Sequence, residues 1–249
     1  MIELHDTCFV LRKGHFRESD IWLKVLSPSY GVITLFAFGG AKSKRRFCGC
    51  LDVFNTLDCR ITLSSRKKYY ILNEATLLAG QGSLRNNWRR MGEAFNCLAF
   101  LEALDIDIDS CRQCFNLLED LRTTLQAARE LPSLFVLFFR FRISCLLGYN
   151  PELNICLSCG AKPGDDAYFA YDEGRIYCSQ CQSHQSMTKK IRLSKPGLDL
   201  LREVKQTFPS QWIETGLMSD IKRSCGLAMD SFVQYHLGIA YSNGYFRRI

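Results

Sequence analysis

The sequence predicts a multidomain α+β protein, in which an N-terminal five-stranded β-barrel is followed by a helical bundle with an inserted four-cysteine module. Apolar residues alternate with polar or outward-facing ones between residues 7 and 78, for example at Ile21, Leu23 and Val25. A period of two is typical of half-buried strands. From Gly82 onward the apolar residues recur at spacings of three and four, which is typical of helices with one buried face.

Turn-forming residues divide the N-terminal segment into about five strands. The breaks lie at Lys13-Gly14 and at residues 27–31, 39–49 and 64–67. Five short strands in one segment of this length fit a small barrel, and the OB-fold is the five-stranded barrel most often associated with nucleic acid. We therefore predict an OB-fold domain in residues 1–80, with an SH3-like barrel as the alternative.

The helical periodicity indicates three helices before the cysteine module and two after it. These helices are expected at residues 84–104, 111–128, 132–147, 195–207 and 219–240. Pro132 and Gly148 are suitable start and stop signals for the third helix. The predicted boundaries are an OB-fold domain at 1–80, a helical domain at 81–153, the cysteine module at 154–182 and C-terminal helices, packed on the helical domain, at 183–249.

The apolar runs and the first residues of the chain bear on the cellular location of the protein. Of its 249 residues 47% are hydrophobic, yet no apolar run reaches the roughly 18 to 20 residues needed to cross a bilayer. The most apolar stretch, residues 134–147, is interrupted by Arg140 and Arg142. The first residues lack the charged-then-apolar layout of a secretory signal. We therefore expect a cytoplasmic protein with reduced cysteines and no membrane partner.

The formal charge of +7 is unevenly placed along the chain. Residues 1–80 contain 12 Lys and Arg against 7 Asp and Glu, whereas residues 81–249 contain 20 against 18. A basic excess concentrated on one predicted domain points to a polyanionic partner such as nucleic acid.

Basic residues cluster at the turns of the predicted barrel, where a small barrel presents its binding side chains. The clusters comprise Arg12, Lys13 and Arg17, then Lys42, Lys44, Arg45 and Arg46, then Arg66, Lys67 and Lys68. Such side chains would contact phosphates, in binding that weakens with salt and ignores sequence. Nearby aromatic residues could stack bases, or could belong to the barrel core: Trp22, Tyr30, Phe47, Tyr69 and Tyr70.

The clearest spacing signal is a pair of C-x-x-C motifs. Cys156 and Cys159 are separated from Cys178 and Cys181 by 18 intervening residues, which is the spacing of a four-thiolate zinc site. Four thiolates leave no coordination position for substrate, so one structural Zn²⁺ is predicted in a zinc-binding module at 154–182. A further pair, Cys111 and Cys114, lies in a predicted helix without a partner pair, which argues against metal there.

Asp105, Asp107 and Asp109 form a D-x-D-x-D run that invites a metal-site interpretation. An EF-hand fails, since Ser110 stands where its turn glycine belongs and Asn116 where its bidentate glutamate belongs. We expect a solvated loop between helices. No catalytic residues are predicted, and no enzyme; a metal-dependent nuclease that uses these aspartates and a zinc-containing RNA-binding protein are the alternatives.

Two segments have the residue patterns of a known family. The first comprises Arg17-Glu18-Ser19-Asp20, then Gly31, then Gly40-Ala41-Lys42-Ser43-Lys44-Arg45, and the second comprises Gly148-Tyr149-Asn150-Pro151-Glu152-Leu153, leading into Cys156. The first is similar to the N-terminal pattern of the bacterial recombination mediator RecO family, and the second resembles that family's junction between helical bundle and zinc module. Family members often have a basic residue just before the Gly-Ala of the loop, where this chain has Gly39.

The resemblance implies a DNA repair and recombination mediator that acts at the bacterial nucleoid. Its OB-fold would bind single- and double-stranded DNA and anneal complementary strands. The resemblance also implies partnership with RecR, contact with the acidic C-terminal tail of single-stranded DNA-binding protein, and help in loading RecA. For that tail an apolar groove edged by arginines would suffice, with Arg140, Arg142 and Arg223 as candidates.

Overall fold

A computed structural model describes residues 2–64, 69–182, 189–212, 217–242 and 245–248. The chain divides into two compact units. The first comprises Met1–Gly92 and Asp105–Gln126, and the second comprises Glu93–Leu104 and Ala127–Ile249. The mixed α+β architecture, with five N-terminal strands and C-terminal helices, confirms the predicted class. The finer domain boundaries at residues 81, 154 and 183 stay a prediction.

The first unit contains a closed five-stranded barrel in the order β1-β2-β3-β5-β4. Its strands are β1 (Ile2–His15), β2 (Ile21–Ser27), β3 (Gly31–Ala37), β4 (Thr56–Leu63) and β5 (Tyr70–Ala79). Strand β1 pairs antiparallel with both β2 and β4, and β3 pairs parallel with β5, which closes the sheet. Every second residue of β2 points into the barrel, so that Ile21, Leu23 and Val25 are buried as their period predicted.

The break expected at Lys13-Gly14 is wrong, because β1 continues through it. Lys13 pairs with Leu23 and Gly14 with Trp22, so both residues belong to the β1–β2 ladder. The irregularity lies earlier, as a register shift between Val10 and Arg12. A bulge there bends the strand, which lets one 14-residue strand serve two neighbours.

Helix α2 (Ile108–Ala127) contributes most of its length to the first unit. The hydroxyl of Thr56, at the start of β4, donates to the carboxylate of Glu119 on α2. The same carboxylate accepts from Arg122 at 2.6 Å, and only 8% of the Arg122 side chain is exposed. Gln126 donates to the carbonyl of Gly80 at 2.7 Å, just after β5. These polar contacts fix α2 against the ends of the barrel strands.

The second unit combines helices with two small sheets. Its elements are most of α1 (Trp88–Glu102), α3 (Phe135–Leu146), α4 (Lys195–Gln206) and α5 (Ser219–Leu237), a four-stranded sheet of β6 (Glu152–Cys156), β7 (Asp166–Ala170), β8 (Arg175–Cys178) and β9 (Lys190–Ser194), and a hairpin of β10 (Ile239–Ser242) and β11 (Tyr245–Arg248). The sheet has the order β6-β8-β7-β9. Helix α3 buries Phe135, Phe138, Phe139 and Phe141, so its apolar run is core.

Two differences from the sequence prediction occur in this unit. Strand β9 pairs along all of β7, although it belongs to the segment 183–249 for which C-terminal helices were predicted. Helix α5 ends at Leu237 rather than near residue 240, because Gly238 adopts a left-handed conformation with φ of 60°. A glycine in that conformation terminates a helix, and the chain after it forms the C-terminal hairpin.

Within the residues described, no helix has the length and apolar character that crossing a bilayer requires.

Replacement of Glu119 by alanine should lower the free energy of unfolding by about 2 to 3 kcal/mol, since it leaves a buried guanidinium without its carboxylate. Urea unfolding followed by circular dichroism would measure the loss. Glu3→Ala is the matched control, because Glu3 pairs with Arg60 at 3.3 Å where both side chains are about half exposed and should change little. Equal stability of the two variants would contradict the structural role assigned to Glu119.

Candidate metal centre and nucleic-acid interface

Four cysteines of the second unit converge on one point. Cys156 ends β6 and Cys178 ends β8, and the tight turns that follow these strands bring Cys159 and Cys181 back toward them. The four Sγ atoms all lie within 4.8 Å of one another. Across the described part of the chain, this is the one group of three or more His, Cys, Asp or Glu ligand atoms so closely spaced. The predicted cluster is confirmed.

The first turn is shaped to stabilise a thiolate. Gly160 has φ of 71° and donates its amide to the carbonyl of Cys156 at 2.9 Å, which closes the turn. The amide of Cys178 donates to the Cys156 sulfur at 3.3 Å. Burial disfavours the Cys156 thiolate, but hydrogen bonds from the amides of Cys178, Cys159 and Ser158 outweigh it and lower the pKa to about 6. Cys156 is therefore poised as a thiolate ligand.

This donor set suits a metal ion held by sulfur alone. Four thiols in two turns can supply a tetrahedron and leave no open position. The group rests on a small hairpin in which Tyr177 donates to Glu173 at 2.7 Å, across the turn made by Gly174. The buried cluster at this site includes Cys156, Ala170, Tyr177 and Cys178, with Tyr168 and Cys181 packed against it. A metal ion bound by the four thiols would add to the order of this small cluster.

The other cysteine pair behaves differently. Cys111 and Cys114 are both buried on α2, and Cys111 donates to the carbonyl of Asp107 at 3.1 Å. Burial raises the pKa of the Cys111 thiol. A buried neutral thiol within a helix fills space and makes a poor metal ligand, as the sequence indicated.

Asp107 of the aspartate run caps a helix. It accepts hydrogen bonds from the backbone amide of Ser110 at 2.8 Å and from its hydroxyl at 2.9 Å. These bonds hold the pKa of Asp107 below its usual value. An acceptor at this position satisfies the free amides of the first turn of α2.

A long loop joins β3 to β4 and presents the densest group of cations, at Lys42, Lys44, Arg45 and Arg46. All four are exposed. The loop backbone is nevertheless fixed: the amide of Gly39 donates to Asp20 at 2.7 Å, and the amide of Ala41 donates to the carbonyl of Ser19 at 3.0 Å. The next residue along, Phe47, is 1% exposed and packs in the barrel core. We call residues 42–46 the basic loop.

Arg46 has the most defined position in the basic loop. Its guanidinium donates to the carbonyl of Phe38 at 2.5 Å and lies 4.9 Å from the ring centroid of Phe47. Its own carbonyl accepts from the amide of Ala75 on β5 at 2.9 Å. These contacts hold one end of the basic loop against the barrel.

The remaining predicted DNA-binding residues differ in their surroundings. Arg12 is exposed on β1, with its guanidinium 5.7 Å from the ring centroid of Trp22. Lys13 forms an ion pair with Asp52 at 3.1 Å, which reduces the charge that it can offer to a phosphate. Arg66, Lys67 and Lys68 lie outside the described residues.

The aromatic residues considered for base stacking divide into two groups. Phe47 is buried and Tyr70 packs partly buried against the barrel core, whereas Tyr69 is 41% exposed. Trp22 and Tyr30 are half-buried. Three exposed or half-buried phenylalanines outside that set lie nearby: Phe36 contacts Tyr69, and Phe16 contacts Phe36 and Phe38. The sequence signal for this aromatic surface is the alternation of Phe36 and Phe38. An alternating pattern alone does not show which face of the strand points into the barrel, so it could not show that these rings lie outside the core.

The three arginines considered for a partner tail lie in the second unit. Arg140 is enclosed by aromatic rings, with centroids 4.7 Å away for Phe246 and 5.8 Å for Tyr241. Burial lowers its pKa. Arg142 donates to the carbonyl of Lys205. Arg223 is exposed and lines a cavity of about 290 Å³ beside Ser219, Asp220, Ser224 and Leu227.

Together these features define a class: mixed α+β proteins with an N-terminal five-stranded barrel, a basic loop and, in the C-terminal part that also contains helices, a four-cysteine cluster that could hold a metal ion. The family model for the N-terminal part of recombination protein O matches residues 1–81, and the model for its C-terminal part matches residues 85–243. This chain belongs to the RecO family of DNA repair and recombination proteins.

Individual relatives agree along the whole length. The DNA repair protein RecO of Nitratidesulfovibrio vulgaris strain Hildenborough is 40% identical over 254 residues, with all of both chains covered. Those of Oleidesulfovibrio alaskensis and Lawsonia intracellularis are 37% and 34% identical over 251 residues, again with all of both chains covered. The predicted family is confirmed.

Purified chain should contain one equivalent of a divalent metal, and Cys178→Ser should lose it because three thiolates bind less tightly than four. Elemental analysis after dialysis would measure the metal. Cys48→Ser is the control, since Cys48 is exposed and lies outside the cluster. Retention of a full equivalent by Cys178→Ser would show that the metal is held elsewhere.

Proposed function

We propose that this chain binds single- and double-stranded DNA through the basic loop of its N-terminal barrel and anneals complementary strands. The observation that carries the proposal is the exposure of four cations on a loop whose backbone is fixed at both Gly39 and Arg46. Membership of a DNA repair and recombination family supports it. Because the loop backbone is already held in place, little backbone freedom is lost when its cations contact phosphates.

Annealing by this route needs no covalent chemistry. Two strands repel each other through their phosphates, and lysine and arginine that neutralise those phosphates release condensed counterions. Strands brought onto one basic surface meet with less repulsion and pair faster. We propose that the closed barrel is an OB-fold, a barrel type that binds oligonucleotides through one face and its loops, and that the protein acts in the cytoplasm at the nucleoid.

We propose Zn²⁺ as the metal of the four-cysteine site and assign it a structural role. Thiolates favour zinc among the common divalent ions, and a site closed by four sulfurs cannot bind substrate. When bound, the ion would cross-link the turns after β6 and β8. The chain's own residues would hold it through Cys156, Cys159, Cys178 and Cys181.

Replacement of Lys42, Lys44, Arg45 and Arg46 by alanine should flatten the salt dependence of DNA binding. Each phosphate contact contributes about 0.9 to the slope of log affinity against log salt for duplex DNA. Loss of four contacts should therefore reduce the slope by roughly 3.6, and should slow annealing. Fluorescence anisotropy with labelled oligonucleotides at several salt concentrations would measure the slope.

Arg60→Ala is the control for general loss of barrel charge. Arg60 lies on the same barrel but is engaged by Glu3 at 3.3 Å and Glu74 at 2.9 Å, so its removal should leave the slope unchanged. An unchanged slope in the basic-loop variant would place the DNA surface elsewhere on the chain.

We further propose the partners of a recombination mediator for this chain: RecR, the acidic C-terminal tail of single-stranded DNA-binding protein and, indirectly, RecA. Among the three arginines considered for the tail, Arg223 has the most suitable surroundings. It is exposed beside Leu227, which is 55% exposed, so a cation and an apolar side chain border one cavity. Asp220 lines the same cavity, so the carboxylates of a tail would approach from the Arg223 side.

Arg223→Ala should weaken binding of an acidic peptide that ends in phenylalanine by about tenfold, because a charge-assisted contact is lost. Isothermal titration with the peptide would measure the change. Lys162→Ala removes an exposed cation of the same unit from outside the cavity and should have no effect. Equal loss in both variants would mean that the peptide responds to overall charge alone.

A further inference from the structure

A strip of aromatic rings covers the outer face of strands β2 and β3. Trp22 and Phe36 are directly paired across these strands, so both side chains lie on the same face. The ring of Phe36 contacts those of Phe16 at 5.3 Å and Tyr69 at 5.6 Å between centroids, and Phe16 contacts Phe38 at 6.0 Å. We call these five residues the aromatic strip.

The position of Trp22 depends on a glycine. Gly14 on β1 is the direct partner of Trp22, and a Cβ atom added to Gly14 would lie 2.4 Å from the indole ring. The ring therefore lies against the backbone of β1, in space that any other residue would fill.

The strip does not belong to the barrel core. The core consists of the inward residues of the same strands, such as Leu23 and Leu35, which are fully buried. Phe16 is 38% exposed and Tyr69 41% exposed, and the other three rings are half-buried. A contiguous patch of exposed aromatic side chains is part of a binding site more often than other protein surface is.

Cations border the aromatic strip. Arg12 lies 5.7 Å from the ring centroid of Trp22, and Arg17 lies 5.9 Å from that of Phe16. Arg46 of the basic loop donates to the carbonyl of Phe38. The strip thus has aromatic faces in its middle and positive charge along its margins, which complements a ligand with planar apolar groups on an anionic backbone.

We propose that the aromatic strip stacks unpaired nucleobases and so gives the barrel a preference for single strands over duplex. This inference rests on the proposed DNA-binding function and adds the part of the ligand that is recognised. Phosphate contacts alone do not favour a single strand, because a duplex has the denser phosphate charge. In a duplex the base faces are already stacked on each other, so only an unpaired strand can offer them to protein rings.

The strip also suits annealing. Bases held by stacking keep their hydrogen-bonding edges free, because stacking uses only the faces. A complementary strand can pair with those edges while the first strand is still bound. Once the duplex forms, its bases stack on one another and no longer face the protein, so the product is held less tightly than the substrate.

A comparison of a thymidine oligonucleotide with an abasic strand of equal length would test the proposal. The two carry the same phosphates, and only the first has bases. Wild-type protein should bind the abasic strand about tenfold more weakly, because an abasic strand has no base faces to stack on the rings. The double variant Phe16→Leu and Phe36→Leu removes two of the five aromatic faces but keeps apolar side chains, and should clearly reduce this difference between the two strands.

Two further variants separate stacking from folding and from charge. Phe16→Tyr with Phe36→Tyr keeps the rings and should keep the preference for bases, whereas the basic-loop alanine variant should lose affinity for both strands in equal proportion. If wild-type protein binds both strands equally, or if the leucine variant keeps the preference, the aromatic strip is not a base-stacking site although DNA binding stands. If wild-type protein binds neither strand at low salt, the proposed function itself is wrong.

Discussion

Strand β1 is the element on which the first unit depends, because it hydrogen-bonds with two neighbours. Its first half pairs with β4 and its second half with β2, and Phe9 takes part in both ladders. The bulge between Val10 and Arg12 frees backbone groups of Val10, which bond instead to Asn55 and Phe54 at 2.9 Å each. Barrel closure and the end of the long β3–β4 loop are therefore fixed by the same few residues.

The loop also stores backbone strain where it meets the barrel. Phe54 has φ of 73°, an uncommon conformation for a residue with a bulky side chain. Its ring is 1% exposed and contacts Phe9 at 5.4 Å between centroids. Burial of the ring offsets the strain, so the chain reverses sharply here and the preceding loop is held close to the sheet. The cations of the basic loop are consequently displayed on a rigid support.

The sequence predicted correctly several features that are set by residues near one another along the chain. The alternation in β2 and the spacing of Cys156, Cys159, Cys178 and Cys181 depend on residues close in sequence, and both appear in the structure. The environment of Arg140 could not be predicted, because Phe246 meets it from more than a hundred residues away. Likewise, Leu35 and Phe36 are adjacent apolar residues whose side chains point to opposite faces of β3. The sequence does not show which of them is buried, whereas in the closed barrel it is Leu35.

The distribution of ion pairs distinguishes the basic loop from several other cations of the first unit. Lys13 and Arg85 share Asp52, and Arg60 lies between Glu3 and Glu74, so these cations are offset by neighbouring carboxylates. Within the described residues, no carboxylate forms an ion pair with a cation of the basic loop. Uncompensated charge attracts phosphate more strongly than charge already paired, since no existing contact must be broken. Cations without a carboxylate ion pair thus lie beside the aromatic strip, since Arg46 of the basic loop donates to the carbonyl of Phe38.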